Sequence, residues 1–304
     1  MDVVIKTKHL SKKYQTHLAL HPTNFTLKKG EICALIGKNG AGKSTLIKLI
    51  ANHIQPTEGT IELFGRVAKP NQEVRKRIGF LIDTSVFITH FTAKQNLEYF
   101  ATQYGLIDKQ RIQDVLDEVG LGQVSKKVKA YSLGMKQRLG IALALLNAPD
   151  LIILDEPING LDVEGIRDFR NLIVQLNKTY GMTVLISSHI LSELQQIATQ
   201  FVFIEKGHLV ESVSREALFK KAKKAISLKV DQTSKAVQII DNTNSDIDYK
   251  VLRDETIMIK SDVLEPSEVN ALMWEQGIRV YQIKEELFNL ENYFLQEQRG
   301  ESHD

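Results

Sequence analysis

Apolar residues cluster in short, nearly uninterrupted runs: Ile32 to Ile36, Leu151 to Leu154, Thr183 to Ile186 and Phe201 to Ile204. A strand with one wet face alternates; runs without alternation predict strands covered on both faces, as in a parallel sheet. Between the runs lie patterns of helical period. From Val163 to Tyr180, Ile166, Phe169, Ile173 and Leu176 fall on one face, and Gly181 supplies the stop. Strands alternating with helices predict an α/β fold. The N-terminal segments Val3 to His9, Asn24 to Leu27 and Thr60 to Phe64 alternate more strongly and predict antiparallel strands.

From about residue 92 to 148 the pattern turns helical. Asn96 to Tyr104, Lys109 to Val119 and Leu133 to Leu146 predict helices inserted into the sheet domain, the last stopping before Pro149. A hairpin follows at Phe201 to Val213, turning at Lys206-Gly207. Residues 214–225 read as a lysine-rich linker helix, which separates a domain over 1–213 from one over 226–304. The second domain reads as strand Ile226 to Val230, helix Thr233 to Ile240, strands Tyr249 to Leu252 and Thr256 to Lys260, helix Pro266 to Gln276, and strand Ile278 to Ile283. This βαββαβ order predicts a small ferredoxin-like α+β domain. A final helix is expected from Leu287 to Gln296, with Val237, Ile240, Leu264, Leu272, Trp274, Phe288 and Phe294 in the core.

The first apolar run leads into Gly37-Lys38-Asn39-Gly40-Ala41-Gly42-Lys43-Ser44, the G-x-x-x-x-G-K-[ST] loop, and a helix over Lys43 to Ala51 follows. Such a loop aims backbone N–H groups and the positive end of a helix at an anion. Lys43 then reaches the β- and γ-phosphates of a nucleotide, and the Ser44 hydroxyl holds Mg²⁺. The second run ends in Asp155 and Glu156, at the strand end where open α/β sheets place ligands. Asp155 suits Mg²⁺ binding through the hydration shell, and Glu156 suits a general base toward water. Ser132 predicts an N-cap for the third inserted helix, and Gly134 permits close backbone approach. Taken alone these residues read first as a capped helix, a reading compatible with an anion site.

Composition narrows the partners. Lys and Arg total 39 against 37 Asp and Glu in 304 residues, a balance that does not favour a general nucleic-acid binder. The single cysteine, Cys33, excludes a disulfide framework or a cysteine-based zinc site. No apolar stretch approaches the ~20 residues that span a bilayer, and residues 1–10 carry no signal core.

The phosphate loop, Tyr131 to Arg138 (YSLGMKQR), Leu151 to Asp162 (LIILDEPINGLD) and Ile186 to His189 (ISSH) occur in one order. With these motifs residues 1–213 resemble the ATP-binding subunits of ABC transporters, and the altered signature and C-terminal region are similar to exporters of bacitracin, lantibiotics and other membrane-active compounds. The resemblance implies a P-loop NTPase cassette: a RecA-like parallel sheet core, an N-terminal antiparallel β subdomain and an inserted α-helical subdomain. It implies ATP and Mg²⁺ as ligands, and a nucleotide sandwiched between two cassettes, identical or paralogous. Gly37 to Gly42, Lys43, Ser44 and Thr45 then form one half of the site, and Ser132 and Gly134 meet the partner's γ-phosphate. Asp162 matches the loop between subunits, His189 the switch histidine, and Tyr14 the aromatic that stacks on adenine. The alternative for Tyr14 is ordinary sheet packing. The implied function is ATP-driven export through a separate transmembrane permease, with the cassette peripheral on the cytoplasmic face of the plasma membrane. The C-terminal domain is expected to steady the dimer or regulate coupling. Two alternatives are a soluble ABC ATPase acting on ribosomes or DNA, and an impaired ATP-binding scaffold in a heterodimer.

The sequence departs from the family pattern twice. Leu133 and Met135 replace a glycine and a glutamine of the common LSGGQ signature. Asp83 stands where the family has a glutamine touching Mg²⁺; its carboxylate can coordinate the metal, or it is a turn acid.

Overall fold

The computed structural model describes residues 2–68, 73–82, 86–106, 108–221, 224–243, 247–252, 254–260 and 264–287. Two compact units divide the chain, Met1–Arg215 and Glu216–Asp304. In the first, β1 (Val3–Tyr14), β2 (His17–Thr23) and β3 (Thr26–Lys28) precede β4 (Ile32–Ile36) and α1 (Lys43–Ile50). β5 (Glu58–Leu63), β6 (Arg66–Val67) and β7 (Ile78–Leu81) follow. The helices α2 (Ala93–Gln103), α3 (Lys109–Glu118) and α4 (Leu133–Leu145) come next. Last are β8 (Leu151–Leu154), α5 (Val163–Tyr180), β9 (Thr183–Ser188), α6 (Leu191–Leu194), β10 (Gln200–Glu205) and β11 (His208–Ser214).

β1 pairs antiparallel with β2, β3 and β5, forming the N-terminal sheet expected from the alternating segments. The second sheet has the order β11-β10-β4-β9-β8-β7 and is parallel except for the β10–β11 hairpin. Every residue of β4, β8 and β9 is buried, as their unalternated sequences require. Burial also pushes the Cys33 thiol up, so it stays protonated within β4.

Three strands escape the sequence pattern: the two-residue β6, and β2 and β7. β2 carries Pro22 and three partly buried positions, and β7 is only Ile-Gly-Phe-Leu, too short to show a period. Gly79 in β7 nevertheless explains how the inserted helices are anchored. A Cβ there would run into the Ala144 carbonyl oxygen of α4, and one on Gly140 would meet Leu81. The C-terminal half of α4, buried from Leu139 to Ala142 and again at Ala144 and Leu145, therefore lies directly on the sheet edge. Gly79→Ala is expected to lower unfolding stability by about 1–3 kcal/mol, the usual scale of overpacking, measured by chemical denaturation.

α7 (Arg215–Lys221) is shorter than the expected linker helix, because β12 (Lys224–Val230) already recruits Ala225 into pairing with Lys260. In the second unit β12 is followed by α8 (Thr233–Thr243), β13 (Asp248–Val251), β14 (Ile257–Lys260), α9 (Pro266–Glu275) and β15 (Val280–Leu287). The sheet order β13-β14-β12-β15, antiparallel throughout, is the ferredoxin-like arrangement. Its core holds Ile226, Leu228, Ile240, Ile257, Ile259, Val269 and Met273. Trp274 is not in it: Val269 and Met273 fix the inward face of α9, and the next residue turns outward, leaving Trp274 75% exposed. Leu287 ends β15 opposite Lys224, and the rest of the expected final helix, with Phe288 and Phe294, lies outside the described residues.

Candidate active site

The loop between β4 and α1 is shaped by close backbone approaches. A Cβ on Gly37 would strike the Ile204 carbonyl oxygen, and one on Gly42 would lie 3.0 Å from that of Ala19. Gly40 and Gly42 sit at φ 81° and 109°, a left-handed backbone that glycine adopts without penalty. Gly42 is the N-cap of α1 and has no side chain to cap it, so the first-turn N–H groups are left for another acceptor. The loop is braced from outside: Gly207 N–H donates to the Ala41 carbonyl and His21 N–H to that of Gly207, both at 2.9 Å. Lys38, Asn39 and Gly40 are exposed, Ala41 is buried, and Ser44 and Thr45 are half-buried at the start of α1.

Lys43 is only 4% exposed. Its ammonium donates to the carbonyls of Gly37 at 2.6 Å and Lys38 at 3.1 Å, and pairs with Glu156 Oε1 at 3.0 Å. The other oxygen, Oε2, lies 2.9 Å from His189 Nδ1, and since an ionised carboxylate only accepts, Nδ1 is the donor. Glu156 thus joins Lys43 to His189. Its backbone is held at φ 49°, and its N–H donates to Ser187 Oγ at 2.8 Å. The same hydroxyl donates to Asp155 Oδ1 at 2.6 Å. Asp155 N–H in turn donates to the Leu81 carbonyl of β7. Lys43, the adjacent Asp155 and Glu156, and His189, three places distant in sequence, therefore converge at the C-terminal rim of the parallel sheet. Ser187 joins them, a residue that the sequence reading passed over although it lies inside the quoted ISSH motif.

A second group surrounds the N-termini of α4 and α5. Ser132 caps α4, its Oγ accepting from Met135 N–H at 3.3 Å, and Asp162 caps α5 by accepting from Gly165 N–H at 2.8 Å. Leu133 finds its place here: its Cδ2 would lie 3.0 Å from a Cβ on Gly160, and Leu161 Cδ2 lies 3.7 Å from one on Gly134. Leucine in the signature is accommodated by glycine in the following loop. Tyr14 is 45% exposed at the tip of β1, with Lys12 Nζ 5.0 Å from its ring centre. Asp83 lies outside the described residues.

A buried strand entering a phosphate loop, with a near-buried lysine facing acids from another strand of the sheet, defines a P-loop nucleoside triphosphatase. Residues 20–159 match the ABC transporter family. The bacitracin transport ATP-binding protein BcrA of Bacillus licheniformis is 40% identical over 97% of both chains. The lantibiotic transport ATP-binding protein SrtF of Streptococcus pyogenes is 42% identical over 68% of this chain and 89% of its own. Among solved structures, cbiO1 of Clostridium perfringens, part of the ABC transporter complex cbiONQ, is 26% identical with a TM-score of 0.67, covering 73% of this chain and 92% of its own. The dimeric cassette MJ0796 in a post-hydrolysis state with ADP and Pi is 25% identical with a TM-score of 0.62, covering 69% and 98%. The chain belongs to the ABC transporter family, as an ATP-binding subunit that hydrolyses ATP.

Proposed function

We propose that this chain is the motor subunit of a bacterial exporter of antimicrobial or amphipathic peptides. The observation that carries the reading is the full-length likeness to a bacitracin transport subunit, which extends through the C-terminal unit as well as the cassette. Gly37 to Thr45 hold the phosphates, Tyr14 stacks on adenine, and Lys43 neutralises phosphate charge. Glu156 takes a proton from the attacking water, and His189, bonded to Glu156, links that acid to the γ-phosphate. Ser132 and Gly134 complete the site on a second cassette, whose subunit contact includes Asp162.

Mg²⁺ fits the residues present. Asp155 stands at the end of the acid-bearing strand and Ser44 is half-buried at the start of α1, a donor set that suits an ion bound through one carboxylate, waters and substrate phosphates. Ser44 and Asp155 would hold it, with Asp83 as a further candidate, and the ion would neutralise charge on the transferred phosphoryl group. No described helix is long and apolar enough to cross a membrane. The likeness to transport ATP-binding proteins supports a separate permease that would keep this subunit on the cytoplasmic face. Neither ribosome or DNA action nor a catalytically impaired scaffold finds support.

The sandwich is tested by cysteines at Ser132 and Lys38. With Mg²⁺ and a slowly hydrolysed ATP analogue, a Ser132→Cys chain is expected to cross-link to a Lys38→Cys chain, and a membrane protein is expected to co-purify. Absence of nucleotide-dependent cross-linking in self-pairs and with every co-purifying cassette rejects the sandwich.

A further inference from the structure

β9 runs between the strand that enters the phosphate loop and the strand that delivers the acids. Its register pairs Leu35 with Ser187 on one side and Leu154 with Ile186 on the other, so Ser187 stands level with Asp155. The residue is 0% exposed. A buried hydroxyl must find protein partners for its proton and lone pairs, and here those partners are the two acids of the site. The polarity is fixed by chemistry: the carboxylate of Asp155 accepts, and the N–H of Glu156 donates.

We propose that Ser187 is a positioning residue for ATP hydrolysis, its one hydroxyl setting the rotation of the Asp155 carboxylate and the left-handed backbone of Glu156 together. A non-glycine residue at φ 49° stays there only where its surroundings impose it. Ser187 supplies that constraint by accepting the Glu156 N–H, and the side chain is thereby delivered between Lys43 and His189. With Asp155 Oδ1 engaged by the hydroxyl, the other oxygen would be the one left to hold the metal. The idea rests on the roles given above to Asp155 and Glu156.

Threonine and valine have nearly the same shape and differ by the hydroxyl, so Ser187→Thr and Ser187→Val separate hydrogen bonding from packing. The Thr variant is expected to keep turnover, and the Val variant to lose about 10- to 100-fold in kcat, the scale of a small misplacement of a catalytic group. A second readout needs no turnover: the tightening of a fluorescent ATP analogue when Mg²⁺ is added should survive in Thr and shrink in Val. Ser187→Ala, which adds no volume, should follow Val in both. Undiminished kcat and Mg²⁺ tightening in the Ala variant overturn the proposal, as does equal impairment of Thr and Val with lowered melting temperatures. Glu156→Gln is measured alongside. If it remains active, the role of Glu156 itself is wrong; if it is inactive while Ala is active, the role of Ser187 alone is wrong.

Discussion

Glu156→Gln is expected to lower ATP turnover by about 10²- to 10⁴-fold, the range for loss of a positioned general base. Binding should not weaken. Glutamine keeps the shape of glutamate, but Lys43 presents a cation to one oxygen and His189 a donor to the other, and a neutral amide has one oxygen to offer them. One of those two contacts is lost, and Lys43 no longer faces a negative charge. A lysine released from an acid is a better phosphate ligand, so ATP should bind as tightly as to wild type or more so. Steady-state phosphate release and titration of a fluorescent ATP analogue report the two quantities separately. Wild-type turnover in the variant would remove Glu156 from the role of base, and a fall in affinity matching the fall in rate would make it a binding residue.

The parallel core was legible because its strands are buried on both faces, which leaves a compact apolar run in the sequence for each of β4, β8, β9 and β10. β7 left no such trace: four residues with a glycine second carry no period, and the need for that glycine comes from the backbone of α4, far along the chain. The site shows the same division. Lys43 and the two acids announce themselves through local motifs, whereas Ser187 acquires its importance only when register sets it beside Asp155. Trp274 shows the reverse error, a large apolar residue assigned inward by type although the helical face set by Val269 and Met273 excludes it. Leu133 departs from the signature, and its Cδ2 lies 3.0 Å from where a Cβ on Gly160 would stand, a neighbour some way downstream that motif matching does not register.

Lys43→Ala should have the opposite signature to Glu156→Gln, with nucleotide affinity falling first. An ammonium has three protons to donate, and in this structure the carbonyls of Gly37 and Lys38 accept two of them, while Glu156 Oε1, 3.0 Å away, is a charge partner that accepts no hydrogen bond. The third proton is left for a phosphate oxygen. Phosphate then supplies the negative charge that Glu156 places beside the ammonium here, so the Lys43–Glu156 ion pair acts as a placeholder for the lysine–phosphate pair. Removing the lysine forfeits a charge-assisted contact of about 1.5–3 kcal/mol, hence roughly a 10- to 100-fold loss of affinity. Arginine should not rescue it, because the site is nearly closed to solvent and shaped for a compact point charge rather than a planar fork. The ATP-analogue titration used for Glu156→Gln decides the matter: unchanged affinity in Lys43→Ala would mean that the buried lysine serves the loop's carbonyls and Glu156 alone, and that phosphate is held by backbone N–H groups without it.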